Sequence, residues 1–119
     1  MKDERTELRL RTRQYALLII RLYEKLPPKT VAQVLGRQVL RSGTSVGANF
    51  REAHRARSTA EFVSKLGDCL KELEESAYWL ELLVDAGVTH QTQVAPCQDE
   101  TNQLTAILTS IVKKLRPRP

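Results

Sequence analysis

The chain has 119 residues, enough for one domain whose core needs neither disulfides nor a structural metal. Its 41% hydrophobic and 28% charged residues, with five glycines and five prolines, exclude a disordered or fibrous polypeptide. A net charge of +5 points toward phosphates or other anionic surfaces, and the two widely separated cysteines, Cys69 and Cys97, suggest neither a disulfide framework nor metal ligation.

The first thirteen residues are dense in charge, and the apolar run from Ala16 to Ile20 is too short for a secretion signal. No stretch approaches the roughly 20 apolar residues of a membrane span, so a cytoplasmic protein without a membrane partner is expected. From Leu8 to Leu26, apolar residues at Leu8, Tyr15, Leu18, Ile19, Leu22 and Leu26 recur every three to four positions, and Pro27 and Pro28 end the run. This predicts a helix over about 4–26. Leu17 and Ile20 lie off that stripe, which implies a second contact surface and hence self-association.

A second helix is expected over about 29–57, with Val31, Leu35, Val39, Val46, Phe50 and Ala53 facing inward. Gly36, Gly43 and Gly47 each cost about 1 kcal/mol in a helix interior, so a break between Arg41 and Ser45 is the alternative. If the helix is unbroken, the three glycines share a face and let a neighbouring helix come close. Ser58 to Glu61 fits a capping box that opens a third helix over about 59–86, whose stripe is Phe62, Leu66, Cys69, Leu73, Ala77, Leu80 and Leu83. Gly87 is placed to close it in a left-handed conformation. A fourth helix over about 91–115 carries Val94, Cys97, Leu104, Leu108, Ile111 and Leu115, interrupted at Thr101. No strand alternation or repeat is visible, and a single all-α domain spanning 1–119, an antiparallel up-and-down four-helix bundle, is the expected architecture.

Charge is unevenly spread. Residues 27–58 carry six basic and one acidic side chain, whereas 59–86 carry two and seven. At about 100° per residue, Arg37 and Arg55 project the same way from the second helix, with Arg41 and Arg51 roughly 40° to either side. Such a stripe suits a phosphate backbone, because arginine donates paired hydrogen bonds to phosphate and a cluster gains from counterion release. The alternative is that third-helix carboxylates, including Asp68, Glu72 and Glu75, neutralise it. Arg5, Arg9 and Arg13 form another line, read as an ordinary exposed face, and Lys113, Lys114, Arg116 and Arg118 form a basic tail suited to a helix C-terminus.

The segments TSVGANFREA, EFVSKL and KELEESAYWLELL, joined by a short Ser-rich turn between Leu40 and Gly87, resemble the 23S ribosomal RNA intervening-sequence protein family. That resemblance implies an up-and-down bundle with an unbroken second helix, assembled into a homopentameric ring. Some relatives are encoded within insertions in ribosomal RNA genes. More distant ones are accessory proteins of diversity-generating retroelements, whose basic pentamers bind reverse transcriptase and nucleic acid. The resemblance implies no enzymatic activity. The family's Ser, Asn and Glu marks fall on Ser45, Asn49 and Glu52. Together with Glu72 they are expected to form a structural polar network that fixes helix register or a subunit contact, with a ligand site as the alternative.

No motif for an enzyme stands out: His54 and His90 belong to no metal pattern, no phosphate loop follows a strand, and the carboxylates of the third helix lack a Glu-x-x-His partner. No cofactor is expected. Trp79 and Tyr78 read as core or interface rather than as a stacking platform. The leading expectation is an oligomeric nucleic-acid-binding scaffold, RNA being the expected ligand, that uses Arg37, Arg41, Arg51 and Arg55. A protein adaptor, such as a reverse-transcriptase partner, and a purely structural oligomer are the alternatives.

Overall fold

The computed structural model describes residues 3–116, and these form four α-helices with no strand among them. They are α1 (Glu4–Glu24), α2 (Thr30–His54), α3 (Thr59–Asp85) and α4 (Gln91–Leu115). The molecule measures 46 × 31 × 20 Å, a length that fits helices of 21 to 27 residues. Backbones approach closely between α1 and α2, α2 and α3, α3 and α4 and α1 and α4, while among the described residues the diagonal helices meet only through side chains. The α2/α3 seam is the most intimate and the α1/α4 seam the most open.

Each helix end has a local cause. Asp3 caps α1 by accepting from the Arg5 backbone N–H, and Leu26, Pro27 and Pro28 follow its last turn. Ser58 caps α3 by accepting from the Glu61 N–H at 3.1 Å. The Glu61 carboxylate accepts from the Arg57 N–H, one residue before the position a capping box requires. At the other end Gly87 has φ +71°, its N–H bonds to the Val84 carbonyl and that of Val88 bonds to Leu83, a Schellman closure that favours glycine. Helix α2 is unbroken but ends at His54, so Arg55 is its C-cap and Arg57 lies beyond it.

The glycines of α2 explain its continuity, since Gly36 and Gly43 meet side chains of α1. A Cβ at Gly36 would lie 2.7 Å from Leu26 Cδ1 and 2.9 Å from the Tyr23 ring, and one at Gly43 would lie 2.7 Å from Ile19 Cγ1. At Gly47 the nearest atom is the Thr12 carbonyl oxygen, 3.4 Å away. The helix-propensity cost of these glycines is offset by tight packing along the α1/α2 seam.

The core contains most of the expected residues, with four corrections. On α2, Val31 is 55% exposed, Leu35 is only partly buried and Ala32 takes the inward place, because Ala32, Gly36, Val39, Gly43 and Val46 form the face that meets the bundle. On α3, Ser76 is buried and Ala77 only partly so. Ser76 is accommodated by a 2.7 Å hydrogen bond to buried Ser42 on α2. On α4, Val112 is buried while Ile111 is partly covered and Leu115 is 38% exposed. The inward direction shifts there by one residue as a three-and-four pattern drifts against the helix repeat. On α1, Thr12 is buried and Leu18 only partly so.

The interruption at Thr101 is a second buried polar pair: its hydroxyl lies 2.6 Å from Tyr15 Oη and 2.7 Å from the Cys97 carbonyl. Across the same open seam, Arg11 donates two hydrogen bonds to Glu100, at 2.7 and 2.9 Å, and one to Gln103.

Gly67 lies in the interior of α3 with nothing within 4 Å of its virtual Cβ. Gly67→Ala is expected to stabilise the fold by about 1 kcal/mol. Gly43→Ala must displace Ile19 and is expected to destabilise it by about 1–2 kcal/mol. Thermal or urea denaturation of the two variants checks both signs.

Candidate nucleic-acid interface

The close approach of α1 and α2 brings together two lines of arginine that are separate in sequence. Tyr23 faces Gly36, Ile19 faces Gly43 and Thr12 faces Gly47, so the numbers fall on α1 as they rise on α2. Continued toward the N-terminus of α1, this register sets Arg9 beside Arg51. Arg9, Arg51, His54 and Arg55, with Glu52, line one open cleft of about 400 Å³. Arg13 stands one turn further along the Arg9 face of α1. Arg5, one turn before Arg9, lies 4.0 Å over the Phe62 ring in a cation–π contact.

The four arginines of the α2 stripe have different surroundings. Arg41 meets Glu72 at 3.5 Å and also pairs with Glu75, so the α3 carboxylates do engage the stripe at that point. Arg51 and Arg55 are exposed and, with Arg9, make no ion pair among the described residues. Glu52, the one acidic residue at the cleft, pairs with Lys65 of α3 at 3.6 Å. Arg37 is exposed but lies roughly 27 Å along the helix axis from Arg55, too far to share one cleft with it. Lys113, Lys114 and Arg116 are exposed at the end of α4, and Arg118 lies outside the described residues.

The four marks expected to form a polar network are not joined by hydrogen bonds to one another among the described residues. Ser45 donates to the Arg41 carbonyl at 2.7 Å within its own helix, Glu52 pairs with Lys65, and Glu72 pairs with Arg41. Asn49 is half-buried. The buried register contacts of this seam are instead Ser42 with Ser76 and the Cys69 thiol, which donates to the Val46 carbonyl at 3.5 Å.

A scan against family models matches residues 4–110 to the 23S rRNA-intervening sequence protein family. The chain belongs to that family. A search of curated proteins found no match. Among solved structures, the chain is similar to a protein of unknown function from the S23 ribosomal protein family of Bacteroides thetaiotaomicron, with 36% identity and a TM-score of 0.85. The alignment covers 93% of this chain and 99% of that one. Family membership accounts for the four helices, and the arrangement of charge on them remains a matter for this chain's own residues.

Arg9 and His54 were not legible as partners of Arg51 and Arg55, because helical periodicity gives a direction on each helix but no register between helices. The small-residue face of α2 was the available signal. No three of His, Cys, Asp or Glu converge as a metal site among the described residues, and no helix there is long and apolar enough to cross a membrane. Burial pushes the Cys69 thiol up to about 12 and that of Cys97 up to about 11, which leaves both protonated and unreactive near neutral pH. Burial also raises Tyr15 above the usual tyrosine range.

These shifts fix a pH dependence. The unfolded thiols ionise near pH 9 while the folded ones do not, so the contribution of the neutral forms is intact below pH 9 and is lost as pH rises toward 11 and 12. Stability measured by chemical denaturation is expected to fall across that window. At neutral pH both thiols are expected to resist a disulfide reagent until the chain is unfolded.

Proposed function

We propose that this chain is a non-enzymatic, self-associating scaffold that binds nucleic acid, RNA foremost, through the α1/α2 cleft. One observation carries the reading: Arg9, Arg51 and Arg55 converge on the same cleft without an ion pair among the described residues, while the nearby Glu52 is engaged by Lys65. Guanidinium groups so placed gain by replacing water with phosphate oxygens and releasing counterions. His54 at the same cleft adds a ring N–H donor. Arg37 adds positive potential further along α2, and Arg41 is held back by its carboxylate partners.

In this reading the helices run up and down in antiparallel order. The falling and rising contact numbers across α1/α2 and α2/α3 support that order, and copies of the chain assemble into the pentameric ring that the family resemblance implies. A ring multiplies the clefts and hence the phosphates engaged. The protein-adaptor alternative, with a reverse transcriptase as the partner, draws support from the Arg41 contact, which is how an arginine of this stripe would meet an acidic protein surface.

Binding of labelled single-stranded RNA, followed by anisotropy, is expected to weaken linearly on a log–log plot against salt, with a slope of about −2 per occupied cleft if about three phosphates are neutralised. Reversing Arg51 and Arg55 together to glutamate is expected to lower affinity by at least about tenfold, whereas Arg41→Glu has a smaller effect. RNA affinity unchanged in the double reversal would overturn the assignment. A protein complex that survives nuclease treatment would favour the adaptor.

A further inference from the structure

A second open cleft, of about 300 Å³, lies at the end of the molecule next to the α1/α2 cleft. Its apolar floor is Leu8 of α1, Phe62 of α3 and Ile111 and Leu115 of α4. Arg5 reaches across it from the first turns of α1, 4.0 Å over the Phe62 ring, and Lys114 borders it from α4. Arg5 precedes Arg9 by one turn, so the two clefts are neighbours, one between α1 and α2 and the other between α1 and α4. A line from one to the other bends round the first turns of α1.

The two clefts differ in charge. Arg9, Arg51 and Arg55 in the first face only Glu52, which Lys65 engages. In the end cleft Arg5 and Lys114 are matched by Asp3 and Glu4, and none of the four makes an ion pair among the described residues. Glu7, Lys113 and Arg116 are exposed in the same turns and leave the surroundings slightly positive. A charge-balanced rim does not suit a lone phosphate. It does suit a flat, uncharged group that carries both donors and acceptors, because Arg5 and Lys114 donate while the Asp3 and Glu4 carboxylates accept. A nucleobase is such a group: its faces pack on apolar side chains and its edges hydrogen-bond in both senses.

We infer that the end cleft receives an unpaired nucleobase of the strand whose phosphates lie in the α1/α2 cleft, so that the protein selects single-stranded over double-stranded RNA. The inference rests on the nucleic-acid binding put forward above and names the form of nucleic acid. In a duplex the base edges are paired and the faces stacked, so no base is free to enter. A duplex is also too stiff to turn round one helix end, whereas a single strand bends there freely.

The test is anisotropy of labelled RNA at one fixed salt concentration, with circular dichroism to confirm that the variants stay helical. A single strand of about twelve nucleotides is expected to bind at least about tenfold more tightly than a blunt duplex of the same sequence. Leu115→Ser leaves every charge in place and is expected to weaken single-strand binding several-fold with duplex binding unchanged. Arg51→Glu with Arg55→Glu is expected to weaken both. Duplex bound as tightly as single strand, or a Leu115→Ser variant that alters both forms alike or neither, would overturn the base site while the double reversal still upholds nucleic-acid binding. No binding of either form, or binding unmoved by the double reversal, would overturn the nucleic-acid reading itself.

Discussion

The approach of α1 to α2 along Gly36, Gly43 and Gly47 is the constraint on which the rest of the molecule depends. Glycine is an unfavourable residue for a long helix, and α2 keeps Gly36 and Gly43 because Leu26, Tyr23 and Ile19 occupy the space their side chains would fill, while at Gly47 the Thr12 backbone lies at ordinary contact distance. The backbones are thereby brought close enough for the Arg9 side of α1 and the Arg51 side of α2 to border one cleft. Cationic side chains so placed repel one another, and the tightly packed glycine seam beneath them holds the helices together against that repulsion. Electrostatic repulsion in the proposed binding cleft is thus opposed by close packing further along the same seam.

The remaining seams use different chemistry. Between α2 and α3 the contact includes a buried serine pair and a thiol-to-carbonyl bond, groups small enough to let helices pack closely, and no buried side-chain nitrogen or oxygen is left without a partner among the described residues. The α1/α4 seam is the most open, and its polar links are the Arg11–Glu100 fork and the Tyr15–Thr101 hydroxyl pair. Directional bonds define register where apolar packing is sparse, since a slip of one turn would leave the buried tyrosine hydroxyl without a partner.

Much of this was legible in the sequence because it is local. The helix starts at Ser58 and after Pro28, the closure at Gly87 and the stripes of α1 and α3 follow from spacing and from the chemistry of single residues. What escaped depends on pairs of helices. Val31 fits an apolar stripe as well as Ala32 does, and only the face that α2 turns to α1 and α3 decides between them. Thr101 and Ser76 broke or sat beside their patterns because each is buried with a hydroxyl partner that is distant in sequence. Likewise the arginine lines of α1 and α2 could each be drawn on a helical wheel, but their meeting could not. Ser45, Asn49 and Glu52 share a side of α2, yet a shared side did not imply shared hydrogen bonds.

The lone tryptophan has a consequence of a different sort. Its indole N–H donates to Glu75 at 3.2 Å, and the same carboxylate holds Arg41 of the neighbouring helix. Indole emission responds to nearby charge and to the polarity of its surroundings, and Trp79 is half-buried at the edge of an exposed patch. The protein therefore carries its own optical reporter at the α2/α3 edge. Any event that loosens Arg41 from Glu75, or covers the neighbouring tyrosine, changes the colour and intensity of a single chromophore without an added label.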